Sequence, residues 1–143
     1  MSIEVNKALV KRYIEMWRTG DISIADEILD ATYVDHAHSE QEPGPEAVKQ
    51  EVLAFHSGFS HVQASIEQMI GEGDLVAFRF TLRGTHTGHF AALSPTHKET
   101  TLTGADFIRI QDGKMVELWS LQDTLNWVQQ FGFKIFPAND PLI

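Results

Sequence analysis

The stretch IRIQDGKMVELWSLQD, residues 108–123, decides how the chain is built. Asp112-Gly113 is a strong two-residue hairpin signal, because both central residues of a type I′ turn need a positive φ. Each arm beside it alternates with the period of a strand. Downstream, Met115, Glu117, Trp119, Leu121 and Asp123 share one face, and Val116, Leu118, Ser120 and Gln122 share the other. Past Asp123 the period changes. Leu125, Val128 and Phe131 lie along a helical stripe, and Gly132 sits where a C-terminal cap is expected. Asp123 therefore ends a strand and, with Thr124, is a candidate N-cap for the helix that follows.

Upstream of the hairpin the chain reads as more strand. One run covers roughly 99–110, and in a second Val76, Phe78, Phe80 and Leu82 alternate. The turn GEGD joins that second run to a third, in which Val62, Ala64, Ile66 and Ile70 alternate. Before them come helical patterns. Residues 3–19 are amphipathic, with Leu9, Tyr13, Ile14 and Trp17 on one stripe and Gly20 closing it. Asp21 caps a short second helix through Leu29. YVDHAH is a brief strand or turn, SEQEPGPE is an acidic loop, and Pro45 opens a third helix that buries Val48, Val52 and Phe55. Helices followed by an antiparallel sheet make an α+β plan. The expectation is a single domain, a cone in which a strongly curved sheet wraps three N-terminal helices around an apolar pocket.

Composition narrows the partners. The 143 residues fit one domain, and the formal charge of −9 with a pI near 5.1 argues against nucleic acid and anionic membranes. No apolar run is long enough for a membrane span, and MSIEVNKALVKRY lacks a signal-peptide pattern. Without cysteine there are no disulfides and no thiolate nucleophiles or ligands, so a cytoplasmic location is expected. Glycine-rich nucleotide loops and the G-x-S-x-G elbow are missing as well.

Taken in order, YVDH, GPEAV, GEGDLVAFRFTLRGTHTGHF, IRIQDGKMVELWSLQD and NWVQQFG resemble the SnoaL-like polyketide cyclase (ester cyclase) family, from about residue 5 to 132. That family has the cone-shaped α+β fold named after nuclear transport factor 2. The tail FKIFPANDPLI, residues 133–143, lies outside the resemblance. The resemblance implies cofactor-free aldol ring closure in aromatic polyketides, with one cavity aspartate as acid/base. The aspartate ending the family's E-x-W-x-x-x-D strand matches Asp123. Two features depart from the family pattern: the loop AALSPTHKE, and Leu118, which stands where many relatives have histidine. Both bear on which substrate is used.

The chemistry is coherent on its own terms. A carboxylate is a weak base for carbon acids, but it suffices where flanking carbonyls delocalise the carbanion. Burial against Trp119 and Leu121 would raise the Asp123 carboxyl towards working pH. Apolar walls, Trp119 among them, would fold the ligand so that its two carbons meet. His86 shares parity with Phe78, Phe80 and Leu82, and is either a cavity residue or a buried histidine bonded to backbone. Asp106 shares parity with Leu102, Ile108 and Ile110, and either lines the pocket or forms a structural ion pair with Arg79 or Arg109, the commoner outcome. His36 is expected at the cone mouth, and Glu117 in solvent or at an interface.

Seven histidines raise the question of a metal, above all His36-Ala37-His38 and His86-Thr87-Gly88-His89, yet both pairs fall in loop-like sequence without cysteine or H-E-x-x-H, and no metal is expected. Two classes of function remain: an acid/base enzyme on a small apolar carbonyl compound (a cyclase, isomerase or dehydratase), or a non-catalytic module that binds an apolar ligand or associates through its sheet. Epoxide hydrolysis is a weaker third, since it needs an Asp-Arg-Asp group that parity does not supply. A homodimer is expected through Val116, Leu118 and Phe107 on the outer sheet face.

Overall fold

In the computed structural model, which describes residues 2–138, the helices and the four long strands lie close to where the periodicities place them. Leu29–Asp35, expected as a helix end followed by a brief strand or turn, is instead a strand that pairs parallel with its neighbour. Helix α1 (Ile3–Thr19) starts at Ser2, whose hydroxyl accepts from the Val5 N–H. It stops at Gly20, which takes the left-handed conformation that a side chain would disfavour. The short α2 (Ser23–Ile28) leads directly into β1 (Leu29–Asp35), and a 3-10 turn follows at His36–His38. Pro45 precedes α3 (Glu46–Gly58), which buries Val48, Val52 and Phe55. The strands are β2 (Phe59–Glu72), β3 (Leu75–His86), β4 (Glu99–Gln111) and β5 (Lys114–Gln122), and α4 (Thr124–Gln130) closes the fold.

Among the described residues the sheet has five strands in the order β1-β5-β4-β3-β2. Strands β2 to β5 are antiparallel neighbours, and β1 joins the far edge parallel to β5. Asp112 and Gly113 both have positive φ, as the hairpin between β4 and β5 requires. The core lies between α1–α3 and the concave face of the sheet, where Val10, Met16, Ile24, Val52, Val76, Ile108 and Met115 are fully buried. On α1 the deepest stripe is Asn6, Val10, Tyr13 and Met16. Leu9, Ile14 and Trp17, expected to be the buried stripe, are only partly covered. For Ile14 and Trp17 the reason is that they face a cavity.

One irregularity controls everything downstream of the hairpin. Ile110 pairs with Met115, but Arg109 pairs with Glu117, so Val116 has no partner across the ladder. This is a β-bulge, and one extra residue moves each later side chain to the opposite face. Met115 stays inside, but from there Leu118, Ser120 and Gln122 face the concave side, while Glu117, Trp119 and Leu121 face out. The uninterrupted alternation expected from the sequence is corrected here. Leu118, assigned to the outer surface, is in the core, and Leu121, assigned to the cavity, is 73% exposed.

Candidate active site

The cone encloses a cavity of about 360 Å³, within the usual range for small-molecule sites. Its apolar walls come from α1 (Ile14, Trp17), α3 (Phe55), β3 (Phe80, Leu82), β4 (Leu102), β5 (Leu118) and α4 (Trp127). Gly104 makes room for the Phe80 ring, since a Cβ there would sit 2.7 Å from Phe80 Cζ and 2.8 Å from the Leu121 carbonyl. Helix α4 is fixed over the cavity by β4. Gln130 accepts from the Thr101 N–H at 2.7 Å and donates to the Thr101 carbonyl at 2.8 Å, and the Trp127 indole N–H donates to Thr100 Oγ1 at 3.3 Å.

Asp106 is the carboxylate built into the inner wall of the sheet. It sits in mid-β4 opposite Ser120 of β5, 5% exposed, and its Oδ1 has no hydrogen-bond partner. Burial pushes its carboxyl up from 3.8 to about 6; the Ser120 hydroxyl opposes the rise and the charge of Asp35 adds to it. The expected ion pair does not form. Arg109 instead bonds Asp74 and Glu117, and Arg79 bonds Gln68. The arginines lie on the opposite face because β4 and β3 alternate without interruption through this region. Asp106 is thus a buried carboxyl facing the cavity, with no cation paired to it among the described residues.

The other candidates separate from the cavity. Asp123 is exposed and outside the cavity lining; its Oδ1 accepts from the Asn126 N–H at 3.2 Å, which makes it the N-cap of α4. The bulge at Val116 is the physical reason, since it hands the inward positions to Ser120 and Gln122. Trp119 likewise lies on the outer face, stacked on the His36 ring at 4.7 Å with Arg109 nearby. His36, expected at the mouth, is held on that outer surface by Glu117 at 2.8 Å. His86 is fully buried behind the cavity, between Phe59 and Phe131. Its Nδ1 accepts from the Thr96 N–H at 3.2 Å, and burial lowers its pKa, as expected of a structural neutral histidine.

Sequence reasoning passed over a polar group at the rim. Asp35 ends β1 and accepts from the Ala37 N–H at 2.8 Å, while its Oδ2 lies 3.0 Å from His38 Nδ1. Glu51 of α3 approaches the same place, where the Gln41 amide donates to it at 2.6 Å. Asp35, His38 and Glu51 each offer a ligand atom, all within 4.8 Å of one another, and all three line the cavity. The signal available in the sequence was the D-H-A-H string itself, of which only His36 was assigned a site role.

A bent sheet closed by helices over an apolar cavity, with the buried carboxyls of Asp106 on its wall and Asp35 at its rim, defines a small-molecule site in a cone-shaped α+β fold. The chain belongs to the SnoaL-like polyketide cyclase family, whose family model matches residues 7–131. It is similar to the aklanonic acid methyl ester cyclase DnrD of Streptomyces peucetius, at 28% identity over 92% of each chain. The corresponding cyclase DauD of Streptomyces sp. (strain C5) is 29% identical, over 87% of this chain and 80% of its own. Among solved structures, TsrD from Streptomyces laurentii superposes with a TM-score of 0.86 at 20% identity, over 92% of this chain and 98% of that one, a likeness of fold. Wild-type IdmH from Streptomyces antibioticus gives a TM-score of 0.76 at 26% identity, over 90% and 99%. Family membership makes this a cyclase-type enzyme.

Proposed function

We propose that the protein is a cofactor-free ester cyclase that closes a ring in a small, largely apolar polycarbonyl compound by intramolecular aldol addition, with Asp106 as the base. The observation that carries this reading is a buried, unpaired carboxyl on the wall of an apolar cavity. A carboxyl titrating near 6 is ionised at neutral pH and is a stronger base than an exposed aspartate. A C–H flanked by two carbonyls is within its reach, because the carbanion spreads onto both oxygens. Phe80, Leu102, Leu118 and Trp127 would hold the chain folded so that carbanion and carbonyl carbon meet, which is a contribution of orientation. The two curated relatives act on a methyl ester of aklanonic acid by name, which supports an ester-bearing aromatic polyketide as the ligand class. The test is single-turnover cyclisation of such an ester by metal-free protein with no cofactor added. Ring closure lost in Asp106→Asn and kept in Asp123→Asn supports the assignment; the reverse pattern returns the base to Asp123.

The same reading takes the protein as a homodimer that associates through the outer sheet face. Its support is the exposed Phe107 and Leu121 beside Trp119, apolar groups that a second copy would cover. Light scattering at micromolar concentration should give twice the monomer mass, and a monomer would remove the idea. Action in the cytoplasm belongs to this reading too, supported by a cysteine-free chain; recovery from the secreted or membrane fraction would contradict it. No described helix is long and apolar enough to cross a membrane.

A further inference from the structure

Aldol closure moves two protons. One leaves carbon, and another must reach the carbonyl oxygen that becomes an alcohol. With Asp106 as base, the other polar groups lining the cavity include the rim cluster of Asp35, His38 and Glu51.

The parallel pairing of Asp35 with Leu118, and the antiparallel pairing of Ile108 with Leu118, put β1 two strand spacings from β4. That is about 10 Å between backbones. Asp106 lies two residues along β4 from Ile108, on the same concave face. The two polar groups therefore flank the apolar floor rather than touching each other. Asp35 is 9% exposed and fixed by the Ala37 N–H, so its second oxygen is a rigid acceptor for His38 Nδ1–H. That bond sets the tautomer and leaves Nε2 as the working nitrogen. The His38 side chain is 49% exposed at the rim, where solvent can restore its proton.

Resting on the cyclase reading, we propose that the Asp35–His38 pair is the second catalytic element of this site, with the His38 imidazolium donating to the oxygen of the carbonyl group whose carbon is attacked by the substrate carbanion that Asp106 generates. The carbon–hydrogen bond breaks, its proton goes to the Asp106 carboxylate and its electron pair enters the flanking carbonyls. The new carbon–carbon bond forms, the electrophile's C=O π pair moves onto oxygen, and that oxygen takes the proton from His38 Nε2. Asp106 and His38 are left neutral; Asp106 releases its proton to water, and His38 recovers one at the rim. Atoms and charge balance without an added reagent.

The electrostatics agree in direction. The hydrogen bond to Asp35 raises the His38 pKa above 6.5, with burial opposing and the charges of Asp35, Glu51 and Glu40 assisting. Other titratable groups lining the same cavity are Asp106 and Tyr13. Glu51 is itself held up by desolvation, so it opposes loss of the His38 proton less than a fully ionised neighbour would.

The test pairs a pH–rate profile with a binding measurement, on wild type and His38→Gln. Wild-type turnover should be bell-shaped, rising as Asp106 ionises and falling as His38 deprotonates. His38→Gln should lose the alkaline limb and about 10- to 100-fold in kcat, with KM little changed. Binding uses alizarin, a hydroxyanthraquinone whose phenolate mimics the developing oxyanion, followed by quenching of Trp17 and Trp127. Affinity at neutral pH should fall about tenfold or more in His38→Gln and hold in Asp106→Asn. An unchanged profile and unchanged alizarin affinity in His38→Gln overturn the proposal, as does wild type that cyclises substrate but never binds alizarin. Turnover abolished by chelator and restored by zinc or manganese overturns it in favour of a metal on Asp35, His38 and Glu51. Alizarin binding that needs His38, in a protein without cyclisation, removes the cyclase reading and keeps His38 as the oxyanion donor.

Discussion

Asp106 and Asp123 lie close together in the sheet, since Gly104 pairs with Gln122 and the Asp123 N–H donates to the Thr103 carbonyl at 2.9 Å. Their chemistry differs because of which way each points. Asp106 faces the cavity with an unpartnered oxygen. Asp123 faces water and spends its carboxylate on the first turn of α4. Position along the chain says little about reactivity here; the side of the sheet decides whether a carboxylate can act as a tuned base or only as a cap.

The largest effect that could break this contrast is on turnover. Asp106→Asn should lower kcat by about two to four orders of magnitude, the usual worth of a positioned acid/base group. Asp123→Asn should stay within about twofold, because asparagine caps as well as aspartate. Near-equal losses in single-turnover assays would erase the distinction.

Next in size is the packing consequence of the bulge. Leu118→Ala should cost about 2–5 kcal/mol, as buried leucine truncations do. Leu121→Ala, three residues on and exposed, should stay within about 0.5 kcal/mol. Urea titrations of both variants measure the side-chain parity directly, and similar midpoints would mean that β5 is not bulged at Val116.

A third effect is linked to pH. The folded Asp106 carboxyl lies at about 6 against the ordinary 3.8, so between those values the folded state binds more protons than the unfolded one. Stability from this group is therefore present at low pH, falls as pH rises from about 4 to about 6, and levels off above. A shift of roughly two units is on the order of 3 kcal/mol. The stability difference between wild type and Asp106→Asn should move in the variant's favour by that order between about pH 4 and pH 7. A pH-independent difference in melting curves would show that Asp106 is not desolvated.

The smallest effect belongs to the cap. Asp123→Ala should destabilise by about 1 kcal/mol and Asp123→Asn by close to nothing. Activity should follow the stability of α4, since Trp127 of that helix lines the cavity.

Legibility in the sequence followed the range of the interactions involved. Gly20 at the end of α1, Pro45 before α3, and Asp112-Gly113 act over one to four residues, and each marked its boundary; the Ser2 cap of α1 is equally local but was not read. Asp106 could be grouped with Leu102 and Ile108 because β4 alternates without interruption. Its lack of an arginine partner could not be seen, since Arg109 is drawn off by Asp74, 35 residues away, and by Glu117 across the hairpin. Asp35 and Glu51 come from different elements, so nothing local announces that they meet at His38.

By itself the sequence determined the order of helices and strands, the hairpin and the cap at Asp123, because propensity, turn chemistry and capping are settled within a few residues. Only the tertiary structure decided which carboxylate faces the cavity. The bulge at Val116 arises in the pairing of β5 with β4, and a sheet's two-residue period turns one unpaired residue into a reversal of every side chain that follows.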